Sequence, residues 1–224
     1  MPCERSRRTT PKPDALISPW FLMSMNRIRR IILIPGLLEP RVLFWPLKRV
    51  LQKHCQQVEF FADRIVFRRI DDSVQRLAAI LAQDTHDRSI AIITHSFGDW
   101  VARQAIAQAS HSHVAALVSV APVMRTGLVP SGLHLLSGNL IPEIKVIVDA
   151  NQAAENLDCD DQVRRLVIWA RADACVRSVP LNHISDLQAE RFAATHLTVI
   201  FQPGVLKRIE TYLLSVDHEL EAAK

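Results

Sequence analysis

Residues 89–98 read SIAIITHSFG. The first six form a short apolar run rich in β-branched side chains, which predicts a strand buried on both faces. Residues 98–109 follow with alanine and apolar positions at helical spacing, so Ser96 stands on a strand-to-helix turn. Open α/β sheets gather their sites at such turns, outside the carboxyl ends of the strands. The turn exposes the serine hydroxyl and places the free N–H groups of a helix N-terminus beside it, where a developing oxyanion can be held. A plain N-capping serine is the structural alternative at the same position.

The pattern repeats on either side. Upstream, residues 28–34 (IRRIILI) form an apolar run halted by Pro35-Gly36. Residues 42–54 carry apolar side chains at helical spacing, and 58–61 make a candidate second strand. Asp71, Asp72 and Ser73 can cap a helix running to about residue 83. Downstream, 114–121 (VAALVSVA) is a strand stopped by Pro122, and 166–170 (LVIWA) is another. Pro203 opens a terminal helix, where its missing N–H does no harm. Strands alternating with helices predict an α/β fold, a mostly parallel sheet with helices on both faces. Residues 1–26 read as a disordered or leader extension and 27–218 as the folded domain. A less regular cap insertion covers about 123–162, and within it 128–140 has the composition of a small lid or a packed surface excursion.

Length and charge narrow the classes. A chain of 224 residues suits one sizeable domain. The net charge of +4 is uneven: residues 1–30 hold seven basic and two acidic residues, and the remainder holds 20 basic against 21 acidic. The excess belongs to the leader, so the folded part lacks the clustered charge of a nucleic-acid surface. Cys3, Cys55, Cys159 and Cys175 show no paired spacing, which argues against zinc and a disulfide scaffold. No run approaches ~18 apolar residues, so no stable membrane insertion is expected. A cytoplasmic location is expected, or an exported one if the first 24 residues act as a signal. P-loop, GxGxxG, HExxH and EF-hand patterns are missing, and no cofactor or metal is expected. Trp20, Trp45, Trp100 and Trp169 read as core or pocket wall.

Thr94-His95-Ser96-Phe97-Gly98 resembles the Gly-x-Ser-x-Gly nucleophile elbow of the α/β-hydrolases. Thr94 stands in place of the first glycine, and Asp99 follows where lipases often carry another. Pro35-Gly36-Leu37-Leu38 resembles the His-Gly-Leu segment of the same proteins, with Pro35 in place of the histidine. The resemblance is to small bacterial lipases and esterases of the triacylglycerol lipase type and covers roughly residues 30–214. It implies an α/β-hydrolase fold, Ser96 as nucleophile, and the backbone N–H groups of Leu37 and Phe97 as oxyanion hole.

Asp173, just after a late strand in LVIWARADACV, matches the family's acid position. Its role would be to orient the histidine and stabilise its charged form. The chain order Ser, Asp, His is that of the family. His196 is the expected base, following a short strand at 191–195; His183 and no catalytic histidine are the alternatives. Against His196, residues 197–201 (LTVIF) also read as a strand, which would leave it at the wrong end of the sheet. His95 reads as packing, His218 as a solvated side chain of the terminal helix, and Asp158, Asp160 and Asp161 as loop charges. The expected activity is that of a serine esterase acting on a small-molecule or lipid ester through an acyl-enzyme. Other acyl-transfer enzymes (thioesterase, amidase, acyltransferase) and a non-catalytic hydrolase-like binding protein remain as alternatives.

Overall fold

The computed structural model describes residues 24–61, 63, 69–84, 86–109, 111–125, 146, 148–158, 160–182, 184 and 186–223. Its strands are β1 (Arg30–Ile34), β2 (Gln57–Phe60), β3 (Ile90–His95), β4 (Val114–Val120), β5 (Arg164–Ala172) and β6 (Leu187–Thr195). They pair in the order β2-β1-β3-β4-β5-β6, and every pairing is parallel. A parallel sheet has helices on both faces, and the central strands show it: every residue of β3 and β4 is buried.

The helices are α1 (Trp45–Leu51), α2 (Ile70–Ala82), α3 (Phe97–Gln108), a short α4 (Ala150–Ala153) and α5 (Pro203–Ala222). α2 packs beside α3, and α1 beside α5. Right-handed crossovers produce these two layers when the order of strands reverses. The reversal falls between β1 and β3, so the crevice at their carboxyl ends is the topological switch point. The segments after β1 and β3 are the ones holding Gly36-Leu37 and Ser96.

Several elements differ from their sequence reading. The helix expected at 42–54 is a 3-10 turn, Arg41–Phe44, followed by α1, because Pro46 suits the first helical turn and not an interior. Trp45, expected in the core or a pocket wall, is 54% exposed at that junction. α2 has no side-chain cap; Asp71 and Asp72 lie in its first turn, where negative charge favours the helix dipole, and Ser73 is buried. The strand read at 197–201 does not form: Val199–Phe201 is a 3-10 turn packed against α1 and α5. The short strand expected at 191–195 does form, as the second half of nine-residue β6. Among the described residues β6 pairs with β5 alone, so its residues alternate in exposure and lack a continuous apolar signature.

The termini of the fold meet. Met25 is buried and donates its N–H to the His54 carbonyl at 2.9 Å. The N–H groups of Asn26, Arg27 and Ile28 all reach the buried Asp217 carboxylate of α5 at 3.0, 2.8 and 2.7 Å. The chain is thus already tied down ahead of residue 27, and α5 continues past 218 to Ala222. Among the described residues, no helix is long and apolar enough to cross a membrane. The lid reading at 128–140, His183, Trp20, Cys3 and Cys159 lie outside the described residues.

Candidate active site

β3 ends at His95, and Ser96 turns the chain into α3 with φ 51° and ψ −122°. A serine held there stores about 1–3 kcal/mol of backbone strain, which the surroundings must overdetermine. They do so through the backbone. Ser96 donates its N–H to the Val120 carbonyl at 3.0 Å, and its own carbonyl accepts from Asp99 and Val123 at 3.2 and 3.3 Å. Gly98 is required for space: a Cβ would lie 2.6 Å from the Ile34 carbonyl oxygen and 2.7 Å from that of Pro35. Thr94, the departure from the usual glycine, is fully buried and donates its hydroxyl to the Val118 carbonyl at 3.3 Å. Its branched side chain is therefore accommodated by β4.

His196 follows directly on β6, at the carboxyl end of the sheet. Its Nε2 lies 2.9 Å from Ser96 Oγ, and its Nδ1 lies 2.8 Å from Asp173 Oδ2. Asp173 Oδ1 accepts the N–H groups of Cys175 and Val176 at 2.8 and 2.9 Å. Burial acts to raise the Asp173 pKa, but the hydrogen bond and charge of His196, with the two backbone N–H groups, hold it below its ordinary value. The three side chains expected from the sequence thus meet in one chain of hydrogen bonds.

The two expected backbone donors border the same serine. Phe97 is the first residue of α3, whose opening N–H groups lack partners within the helix. Leu37 follows Gly36, where a Cβ would lie 3.0 Å from Ser96 Cβ and 3.3 Å from the His95 carbonyl oxygen. A side chain here would have to push the loop and the elbow apart by a few tenths of an ångström.

His95 does more than pack. It is 1% exposed, its Nδ1 lies 2.8 Å from Glu39 Oε2, and its Nε2 donates to the backbone carbonyl of His196 at 2.9 Å. Both ring nitrogens are committed, so neither serves Ser96. Glu39 Oε2 also accepts the Gly36 N–H at 2.7 Å. One buried pair therefore joins the loop after β1, the elbow and the backbone of His196. Sequence reasoning passed over Glu39; its signal was a lone acid between Leu38 and Pro40, three residues after a glycine turn.

Asp99 is likewise explained by what it holds. Fully buried, it accepts from Ser119 Oγ at 2.5 Å and from Arg103 Nε at 2.9 Å. The Arg103 guanidinium, fully buried too, bonds the carbonyls of Val123, Ala153 and Glu155. Trp100 Nε1 donates to the Gln152 carbonyl at 2.8 Å, and Asn156 Nδ2 to Gln104 Oε1 at 2.7 Å. α3 so grips both ends of the insertion after β4. Asp160 sits before β5, accepting from Gln162 and Ser112, as befits a loop charge.

Asp173, Cys175 and His196 each present a metal-ligand atom within 4.8 Å of the others. The Asp173–His196 hydrogen bond uses the atoms that a cation would need, and burial with the Asp173 charge pushes the Cys175 thiol up. The cluster fits a hydrogen-bonded acid and base better than a metal site.

No protein-family model matches the sequence, and no curated protein is similar to it by sequence. Solved structures are similar in fold. An esterase of Pyrococcus furiosus superposes with a TM-score of 0.59 at 14% identity, covering 84% of this chain and 83% of that one. The RedJ thioesterase of the prodiginine pathway in Streptomyces coelicolor gives 0.54 at 13% identity, with 94% and 96% covered. The ydeN gene product of B. subtilis gives 0.57 at 14%, with 83% and 98% covered. With the parallel sheet and the strand-to-helix turn after β3, these likenesses establish that the chain has the α/β-hydrolase fold.

Proposed function

We propose that the protein is a serine hydrolase that cleaves carboxylic esters through an acyl-enzyme. The observation that carries this reading is the 2.9 Å contact between Ser96 Oγ and His196 Nε2, with Asp173 behind the ring at 2.8 Å. His196 takes the hydroxyl proton as Ser96 attacks the ester carbonyl, and Asp173 stabilises the imidazolium so formed. The N–H groups of Leu37 and Phe97 hold the oxyanion. His196 returns its proton to the leaving alcohol, and water then releases the acid by the same steps in reverse.

An apolar part of the substrate fits the rim. The large exposed apolar side chains among the described residues are Leu38, Val42, Trp45, Leu197 and Phe201. Leu38 adjoins Leu37 and Leu197 adjoins His196, and the two 3-10 turns that carry or flank the others pack together. Concentrated apolar surface beside a polar centre favours ligands with hydrocarbon.

The test is labelling with a fluorophosphonate, followed by a panel of oxoesters and thioesters. Wild type should label and turn over one of these classes. Ser96→Ala should lose the label and about 10⁴-fold or more in kcat. A folded wild-type protein that neither labels nor turns over any member of the panel leaves the reading without support.

A further inference from the structure

Between β5 and β6 the chain crosses over without a helix among the described residues. A groove of about 540 Å³ opens there, bounded by Asp173 and Trp169 and by the side chains of Arg125, Arg171, Arg177 and Arg191. All four arginines are exposed. None of them pairs with a carboxylate among the described residues, whereas Arg30, Arg76, Arg103, Arg164 and Arg208 each do. The one carboxylate in the groove, Asp173, is committed to His196 and two backbone N–H groups.

This concentration is not a by-product of a basic domain. Beyond residue 30 the chain carries 20 basic and 21 acidic residues, so four arginines without a carboxylate partner among the described residues, one of them bonded to Ser178 Oγ, stand against a neutral background. The groove is also anchored to the chemistry. The Arg177 N–H donates to the Arg125 carbonyl at 2.9 Å, joining the loops after β4 and β5. Two residues before Arg125, the Val123 N–H bonds the Ser96 carbonyl at 3.3 Å. A second groove of about 610 Å³ shares Trp169, Ser178 and Arg191 with the first and runs on over Val179, Pro180 and Leu181.

We propose that Arg125, Arg171, Arg177 and Arg191 bind an oxyanion, a carboxylate or phosphate, carried by the substrate on a short alkyl arm. Guanidinium groups match both oxyanions through paired N–H donors. The alkyl arm lies along Val179, Pro180 and Leu181, beyond Trp169. The proposal rests on the reading of Ser96 as nucleophile and narrows its substrates to anionic esters.

The test separates the two readings. Ser96→Ala protein is titrated calorimetrically with hexyl phosphate, hexanoate and hexanol. At least one of the two anions should bind with an affinity that falls as salt is raised, and hexanol should bind far more weakly. The preferred anion tells phosphate from carboxylate. Adding Arg125→Gln and Arg177→Gln, both on exposed side chains, should weaken anion binding about tenfold. In the Ser96 background, kcat/KM for the mono-p-nitrophenyl ester of adipic acid, divided by that for p-nitrophenyl hexanoate, should drop by a similar factor in the double arginine variant. Hexanol binding as well as the anions, or anion binding and selectivity untouched by the double variant, overturns the proposal. Failure of wild type to hydrolyse either ester counts against the hydrolase reading, and the calorimetric arm still decides the anion site.

Discussion

At the scale of single residues, the contact made by Glu39 has the widest reach. Its carboxylate fixes Gly36 in the loop after β1 and, through His95, the carbonyl of His196. Glu39→Ala leaves the Gly36 N–H and His95 Nδ1 buried without partners, costing about 1–3 kcal/mol. The same change loosens the loop of Leu37 and the backbone of His196 together. Turnover should fall roughly 10-fold to 100-fold, with KM much less affected. Glu39→Gln, which keeps an acceptor for Gly36, should recover most of the stability in a thermal melt.

Asp173 gives a pH signature. Its pKa in the folded protein lies below the ordinary 3.8: burial raises it, and His196 with the Val176 and Cys175 N–H groups more than reverses that. A carboxyl lowered by folding adds stability that is complete above its ordinary pKa and is lost as pH falls through the folded value. The stability lead of wild type over Asp173→Asn should therefore be larger at about pH 6 than at about pH 3, as measured by denaturant unfolding.

At the scale of elements, the sequence and the structure part company where burial is one-sided. β1, β3 and β4 were legible because both faces are covered and their residues run continuously apolar. β6 was legible only in its second half, 191–195, through the family resemblance, because an edge strand shows water one face and spells LQAERFAAT. Val199 and Ile200 misled for the converse reason, being buried in a 3-10 turn whose apolar content imitates a strand. The correct placement of His196 turned on this exchange. The clasp between α5 and the start of the fold was also illegible, since three N–H groups meeting one distant carboxylate leave no local pattern. Asp217→Ala should lower stability by about 2–3 kcal/mol, seen as a reduced Tm, while the Ser96–His196–Asp173 geometry stays out of its reach.

Taken whole, the molecule places Ser96 and the Gly36 loop at the switch point between β1 and β3, with Asp173 and His196 farther along the sheet. The Ser96 turn and Asp173 were readable because each follows a strand with a continuous apolar run, and His196 through the family resemblance. Glu39, Arg103 and the arginine groove were not, because they join residues as much as 56, 52 and 66 positions apart that only the fold brings together.

The grip of Arg103 on Val123, Ala153 and Glu155 makes one guanidinium the joint between α3 and both described ends of the insertion. Such a joint fails as a unit: Arg103→Met leaves the Asp99 carboxylate buried without its cation and three carbonyls without this donor, at a cost of about 3–5 kcal/mol seen as a lower Tm. Arg103→Lys keeps the charge but not the planar fork of donors, and should recover only part of that loss.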